Sequence, residues 1–247
     1  MKLKNKVAIV TGGAKWIWKA IVLALLEDWV KVIINYFWDE ENIDLFKNEI
    51  KKFKWNFLFV KADVSKTSEI DIIFQEAKKS FGMVDILVNN AWIFNVWEDE
   101  PIKRFKKIFD INFFSQVYAT ELFEKQFNWD LWKIINIWSI FWVNPFPVTW
   151  WTRNPEYLCS KAVIHMFSKI CARNFDWKIL VNTVSPGSVN TPLWNWADED
   201  FKKIRAEEPM IKRFIKATEI SDTVLFLLKN DAMNWENIVV DWGNILK

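Results

Sequence analysis

Apolar residues fall into two alternating patterns along this chain. Short, mostly apolar runs at residues 7–10, 31–35, 57–61, 86–88, 133–137, 180–184 and 238–240 have the length of strands. They predict strands buried on both faces of a parallel sheet. Longer stretches with helical patterning lie between them, at 17–27, 40–53, 69–81, 102–127, 157–175 and 219–228. Strand–helix alternation at this spacing predicts right-handed βαβ units and a doubly wound α/β sheet. Two segments break the rhythm. Residues 144–154, with Pro145, Pro147, Trp150 and Trp151, read as an irregular excursion before a helix. Residues 193–210 are polar and charged, and predict a flap over the carboxyl ends of the strands.

No composition shift, linker or repeat divides the 247 residues, so a single domain over 1–247 is expected. Apolar residues make up 51%, enough for a large core. Lys and Arg number 33 against 31 Asp and Glu, a net charge of +2, which argues against a nucleic-acid partner recruited by bulk charge. There is no run of 18 apolar residues to suggest a membrane span. The basic start, Met1 to Lys6, leads into a strand and not into a signal-peptide core. Cys159 and Cys171 fall twelve positions apart in one predicted helix, roughly 18 Å at helical rise, and cannot bridge each other. A cytoplasmic protein with free thiols is expected. With these two thiols and one histidine, His165, no metal site is expected.

Glycine is scarce where turns require it. At average usage of about 7% a chain this long would hold roughly 17 glycines; this one holds 5, together with 18 tryptophans. Thr11-Gly12-Gly13-Ala14-Lys15-Trp16-Ile17-Trp18 follows the first strand and opens the first helix. With glycine at 16 and 18 it would be a nucleotide-binding loop.

Candidate chemistry begins with Tyr157 and Lys161. Four residues apart on a helix, their Cβ atoms lie about 6 Å from each other. A free phenol ionises near pH ~10, so proton exchange with a carbonyl at neutral pH needs a drop of ~2–3 units. An adjacent ammonium supplies such a drop by stabilising the phenolate; the bland alternative is an amphipathic helix that happens to carry both residues. Polar groups also recur at the ends of successive strands. Asp63-Val64 ends the third, Asn89-Asn90-Ala91 the fourth, Ser139 follows the fifth, and Pro186-Gly187-Ser188-Val189-Asn190-Thr191 ends the sixth. Ligands bind at that edge of open α/β sheets.

On Thr11-Gly12-Gly13-Ala14, Asp63-Val64, Asn89-Asn90-Ala91, Asn112, Ser139, Tyr157 with Lys161, and Pro186-Gly187, the chain resembles the short-chain dehydrogenase/reductase family over essentially its whole length. Within that family it is similar to 3-oxoacyl-(acyl-carrier-protein) reductases and sugar dehydrogenases. The resemblance implies a seven-stranded Rossmann sheet of order 3-2-1-4-5-6-7 and hydride transfer between a nicotinamide and a carbonyl/alcohol pair. It implies that Tyr157 is the general acid/base, that Lys161 lowers its pKa and holds the nicotinamide ribose, that Ser139 bonds the substrate oxygen, and that Asn112 sustains a proton relay. Cofactor contacts are implied for Thr11, Gly12, Gly13, Lys15, Ile17, Asn35, Tyr36, Asp63, Val64, Asn90, Ala91, Tyr157, Lys161, Pro186, Gly187, Val189 and Thr191. It also implies a homodimer or homotetramer through the long helix carrying Phe105, Phe109, Phe113 and Phe114.

The second strand ends Asn35-Tyr36-Phe37, with no acid before Asp39 to grip a ribose 2′-hydroxyl. Lys15 is a cation placed for a 2′-phosphate, so NADP is expected over NAD. The family has glycine at the places of Trp16, Trp18, Trp92, Trp138 and Trp242, and Ser139 and Tyr157 stand 18 apart, longer than is usual for the family. Three readings follow. The chain is an active NADP-dependent reductase or dehydrogenase; or it is a non-catalytic Rossmann scaffold whose nucleotide site is blocked by Trp16 and Trp18; or the tryptophans replace glycines in the sequence. Drift would scatter many residue types over lost glycines, whereas here one type recurs, which favours the third account of the tryptophans and the first account of the chain's origin.

Overall fold

Seven strands, all paired in parallel, form one sheet in the order β3-β2-β1-β4-β5-β6-β7. The computed structural model describes residues 1–13, 17–38, 40–127, 130–140, 154–191 and 198–246. In chain order the elements are β1 (Val7–Val10), α1 (Ile17–Glu27), β2 (Lys31–Tyr36), α2 (Glu40–Ile50), β3 (Phe57–Lys61), α3 (Thr67–Ser80), β4 (Ile86–Asn89), α4 (Pro101–Phe109), α5 (Ser115–Lys125), β5 (Trp132–Ile137), α6 (Pro155–Asn174), β6 (Ile179–Pro186), α7 (Glu199–Glu207), α8 (Ala217–Lys229) and β7 (Asn237–Val240). Fold class and strand order are those expected from the sequence.

The mostly apolar runs have a direct cause. Every residue of β1, β4, β5 and β6 is buried, because helices cover both faces of the sheet. Side chains alternate between the two layers along each strand. In β1, Ala8 and Val10 join Ile21, Leu25 and Leu26 of α1, Phe46 of α2 and Leu227 of α8. Val7 and Ile9 face the opposite way, with Ile73 of α3, Phe123 of α5 and Cys171 of α6. Each such aliphatic side chain, fully buried, contributes about 1.5–3 kcal/mol. β7, at the sheet edge, is only half-buried along its length.

Two elements depart from the sequence pattern. The long helix expected at 102–127 is interrupted by a π-helical turn, Asp110–Phe114, between α4 and α5. The bonds made by Asn112, described below, hold that turn open. Part of the polar segment expected to be a flap is helical. Asp198 caps α7, its carboxylate accepting from the Phe201 amide at 2.7 Å. Residues 193–197 of that segment lie outside the described residues, as does most of the 144–154 excursion. Cys159 and Cys171 both sit in α6, the first exposed and the second buried, with no disulfide. Among the described residues no helix is long and apolar enough to cross a membrane.

Candidate active site

The carboxyl ends of β1 and β4 are tied together by Thr11. Its hydroxyl accepts from the amides of Asn90 (2.9 Å) and Ala91 (3.0 Å), while the Asn90 side chain donates to the Thr11 carbonyl at 2.6 Å. This brings Ala91 so close that a Cβ on Gly12 would lie 3.0 Å from its Cα, and Gly12 also adopts φ +64°. Glycine meets both demands at no steric cost. Asn35, at the end of β2, accepts from the Gly12 amide (3.1 Å) and donates to the Ala62 carbonyl (2.9 Å). Its side chain is thus buried and engaged in bracing the loop. Its backbone carbonyl accepts from Gly13 at 2.9 Å.

The other expected cofactor residues line the same edge of the sheet. Tyr36, at the end of β2, packs edge-on against Phe59. Asp63 turns its carboxylate onto the Ser65 amide and hydroxyl, and Val64 is buried in the second core layer. Pro186 closes β6, the Gly187 amide donates to the Val240 carbonyl at 2.9 Å, Val189 bridges to Ile215, and Thr191 is buried. Ile17 begins α1. Lys15 and Trp16 lie outside the described residues.

Tyr157 and Lys161 occupy the first turns of α6, and both are buried. Ser139, just beyond β5, shares a hydrogen bond with the Tyr157 hydroxyl. Burial pushes the phenol well above its usual range, and the Ser139 bond offsets only part of that rise. Burial also pulls the Lys161 ammonium down to about 7. The Lys161 nitrogen lies 5.6 Å from the centre of the Tyr157 ring and 5.7 Å from that of Trp92. Burial is thus the largest influence on both groups, and the Lys161 nitrogen lies beside the faces of both rings.

Asn112 is fully buried in the π-helical turn. Its side-chain carbonyl accepts from the Ile93 amide at 2.8 Å. Its amide group donates to the Ile93 carbonyl and to the Ser160 hydroxyl, each at 3.0 Å. Ser160 in turn donates to the Tyr157 carbonyl at 2.7 Å. A bonded chain thus runs from the loop after β4 through Asn112 to the backbone of Tyr157. π-Helical turns of this kind are frequent at functional sites.

Trp92 stands at the centre of the site. Its ring lies 5.8 Å from that of Tyr157 and 6.4 Å, edge-on, from that of Trp18. Trp18 itself is buried in the core layer of α1. The two indoles therefore bridge from the start of α1 to the Tyr–Lys pair. Beside them, Trp138 stacks on His165, ring centroids 4.8 Å apart at 19°.

Three further residues shape the site. Arg104 of α4 donates through Nε to Glu156 at 2.9 Å, and through its terminal nitrogen to the carbonyls of Glu98 and Asp99. Glu156 has no solvent exposure and directly precedes Tyr157. The pair is 52 residues apart in sequence, beyond the reach of local patterning. Ser160 lies inside the Tyr-x-x-x-Lys stretch, and its position one helical turn after Tyr157 was the available signal.

A family model described as short chain dehydrogenase matches residues 6–201. The chain is 30% identical over 239 residues to a 3-oxoacyl-(acyl-carrier-protein) reductase of Staphylococcus epidermidis, covering 92% of this chain and 93% of the relative. It is 29% identical to glucose 1-dehydrogenase 2 of Bacillus subtilis, covering 99% and 96%. A short-chain dehydrogenase/reductase structure from Serratia marcescens superposes with a TM-score of 0.88 at 26% identity, covering 99% of this chain and 100% of that one.

Proposed function

The chain belongs to the short-chain dehydrogenase/reductase family, and from that premise we propose that it is an oxidoreductase interconverting a carbonyl and an alcohol with NADP(H). Tyr157 holds and releases the proton at its phenolic oxygen, Ser139 bonds the substrate oxygen, Lys161 supports the phenolate, and Asn112 positions Tyr157 through Ser160. The observation that carries this reading is the meeting of Ser139 and Tyr157 in one hydrogen bond beside a buried Lys161. Bringing together the end of β5 and the first turns of α6 at the carboxyl edge of the sheet serves proton exchange and has no evident use in core packing. NADP is favoured over NAD by Lys15 and by the absence of an acid at Asn35-Tyr36-Phe37.

The test uses a protein with glycine at positions 16, 18, 92 and 138. NADPH consumption is followed with a 3-oxoacyl thioester and with small ketones, and the reverse reaction with glucose. Turnover with one substrate class supports the reading; NADPH binding without turnover across all classes refutes it. The scaffold reading draws on one specific observation, the Trp18–Trp92 bridge that reaches Tyr157. NADPH fluorescence titrated against the tryptophan-bearing chain tests it, and tight binding there would refute it. A homodimer or homotetramer belongs to the first reading, supported by the exposure of Phe114, Met166 and Ile170; light scattering measures it.

A further inference from the structure

Eleven of the 18 tryptophans fall among the described residues. Six of them, Trp29, Trp38, Trp55, Trp97, Trp177 and Trp235, are exposed, although tryptophan is among the more buried residue types on average. Three adopt left-handed backbone: Trp29 at φ 61°, Trp235 at 68° and Trp242 at 56°. A bulky residue is a genuine outlier there. Among the described residues the other non-glycine positions with positive φ are Asn5, Asp176 and Lys212, two of them types that tolerate this region.

The turns around these tryptophans are glycine turns in detail. At the end of α1 the Val30 amide donates to the Leu25 carbonyl and the Trp29 amide to the Leu26 carbonyl, each at 3.0 Å. That pair of bonds is the Schellman motif, in which the left-handed residue is usually glycine; Trp29 holds that place. After β7 the Asn244 amide donates to the Asp241 carbonyl at 3.2 Å, and both residues between them, Trp242 and Gly243, have positive φ. This is the pattern of a type I′ turn, dominated by Gly, Asn and Asp. The Trp242 indole nitrogen is also buried with no hydrogen-bond partner among the described residues. Trp18 and Trp92 add the third sign, meeting edge-on between the start of α1 and Tyr157.

We propose that the functional protein carries glycine at positions 18, 29, 92, 138, 235 and 242, the tryptophans there arising from UGA triplets that the source cell decodes with a glycine tRNA. UGA is the neighbour of the tryptophan codon UGG and is read as tryptophan in several genetic codes, so one reassigned triplet converts many glycines to tryptophan at a stroke. That accounts for a single residue type standing at turns, at a helix cap and in the nucleotide site together. Positions 29, 235 and 242 rest on backbone geometry; 18, 92 and 138 rest on the oxidoreductase reading above.

Protein purified from the source cell is digested with trypsin, and the peptides spanning positions 29, 92 and 235 are sequenced by mass spectrometry beside the gene. Glycine masses encoded by UGA are the expected result. Tryptophan masses at 29 and 235, or UGG triplets there, overturn the proposal. A second measurement compares recombinant protein having UGG at all six positions with protein having glycine codons there. Relief of left-handed backbone strain at 29, 235 and 242 should raise Tm by about 2–4 °C for each kcal/mol recovered; an unchanged or lower Tm counts against it. Glycine found by mass in a protein that neither binds nor turns over NADPH would refute the proposed function and leave the decoding proposal standing.

Discussion

Replacing Lys161 with methionine tests how burial governs the candidate site. The side chain is 1% exposed, and desolvation draws its ammonium from 10.5 to about 7. At 1.36 kcal/mol per unit, that displacement corresponds to about 5 kcal/mol between folded and unfolded states. The folded value lies below the unfolded one, so between pH 7 and pH 10.5 the unfolded chain holds a proton that the folded chain has lost. Stability therefore rises with pH through that window, and the penalty is complete below pH 7. Lys161→Met keeps the volume and removes the charge. It also gives up contacts with the Trp92 and Tyr157 rings, together about 1–2 kcal/mol. Desolvation wins: the variant should be about 3–4 kcal/mol more stable at pH 7 and no more stable than the parent near pH 10.5. Urea denaturation midpoints across this range measure the difference. Parallel pH profiles for the two proteins, or a variant less stable at every pH, would refute the reasoning.

Arg104→Ala should cost about 3–5 kcal/mol, because it strands the buried Glu156 carboxylate. Exchanging both residues for methionine should recover most of that loss, and a double-mutant denaturation cycle reads the coupling. The Arg213 guanidinium beside Glu219 holds its carboxyl down at about 2. Its contribution is present above pH 4.5 and is lost as pH falls toward 2. Glu219→Gln should therefore be destabilising by about 1–2 kcal/mol at neutral pH, after allowance for solvent screening, and should converge with the parent in an acid titration followed by circular dichroism. In the protein bearing glycine at 16, 18, 92 and 138, Tyr157→Phe should abolish turnover with NADPH affinity nearly intact, while Lys161→Ala should damage both. Steady-state kinetics beside fluorescence titration separates the two, and equal mild losses would contradict the assigned roles.

The sheet was legible because strands buried on both faces must be largely apolar, as 7–10 is throughout. Asn112, Ser139, Tyr157 and Lys161 were legible as a set through family resemblance, but the environment of that set was not. Whether an ammonium lowers a phenol's pKa depends on where both sit relative to water and to Trp92, and spacing along a helix does not carry that information. The π-helical turn was hidden because its cause is tertiary, the bonds from Asn112 to Ile93 and Ser160. Helix α7 was missed because it lacks an apolar stripe and Arg205 is its buried residue. The one readable sign was the acidic start, Asp198-Glu199-Asp200, with its capping carboxylate.

The π-helical turn also fixes the angular phase between two helices. Each residue added to a helix swings the following side chains by about 100°, so the wider turn at Asp110–Phe114 rotates α5 relative to the path α4 would otherwise impose. In the resulting setting Ala119 and Phe123 point into the sheet layer, and Phe123 meets Trp132 at 4.9 Å. Closing the turn into regular α-helix would roll that stripe off the sheet and draw Asn112 away from Ser160. Loss of a single residue here would thus misalign the core and the site together, so the length of this segment is set jointly by packing on one side and by the placement of Tyr157 on the other.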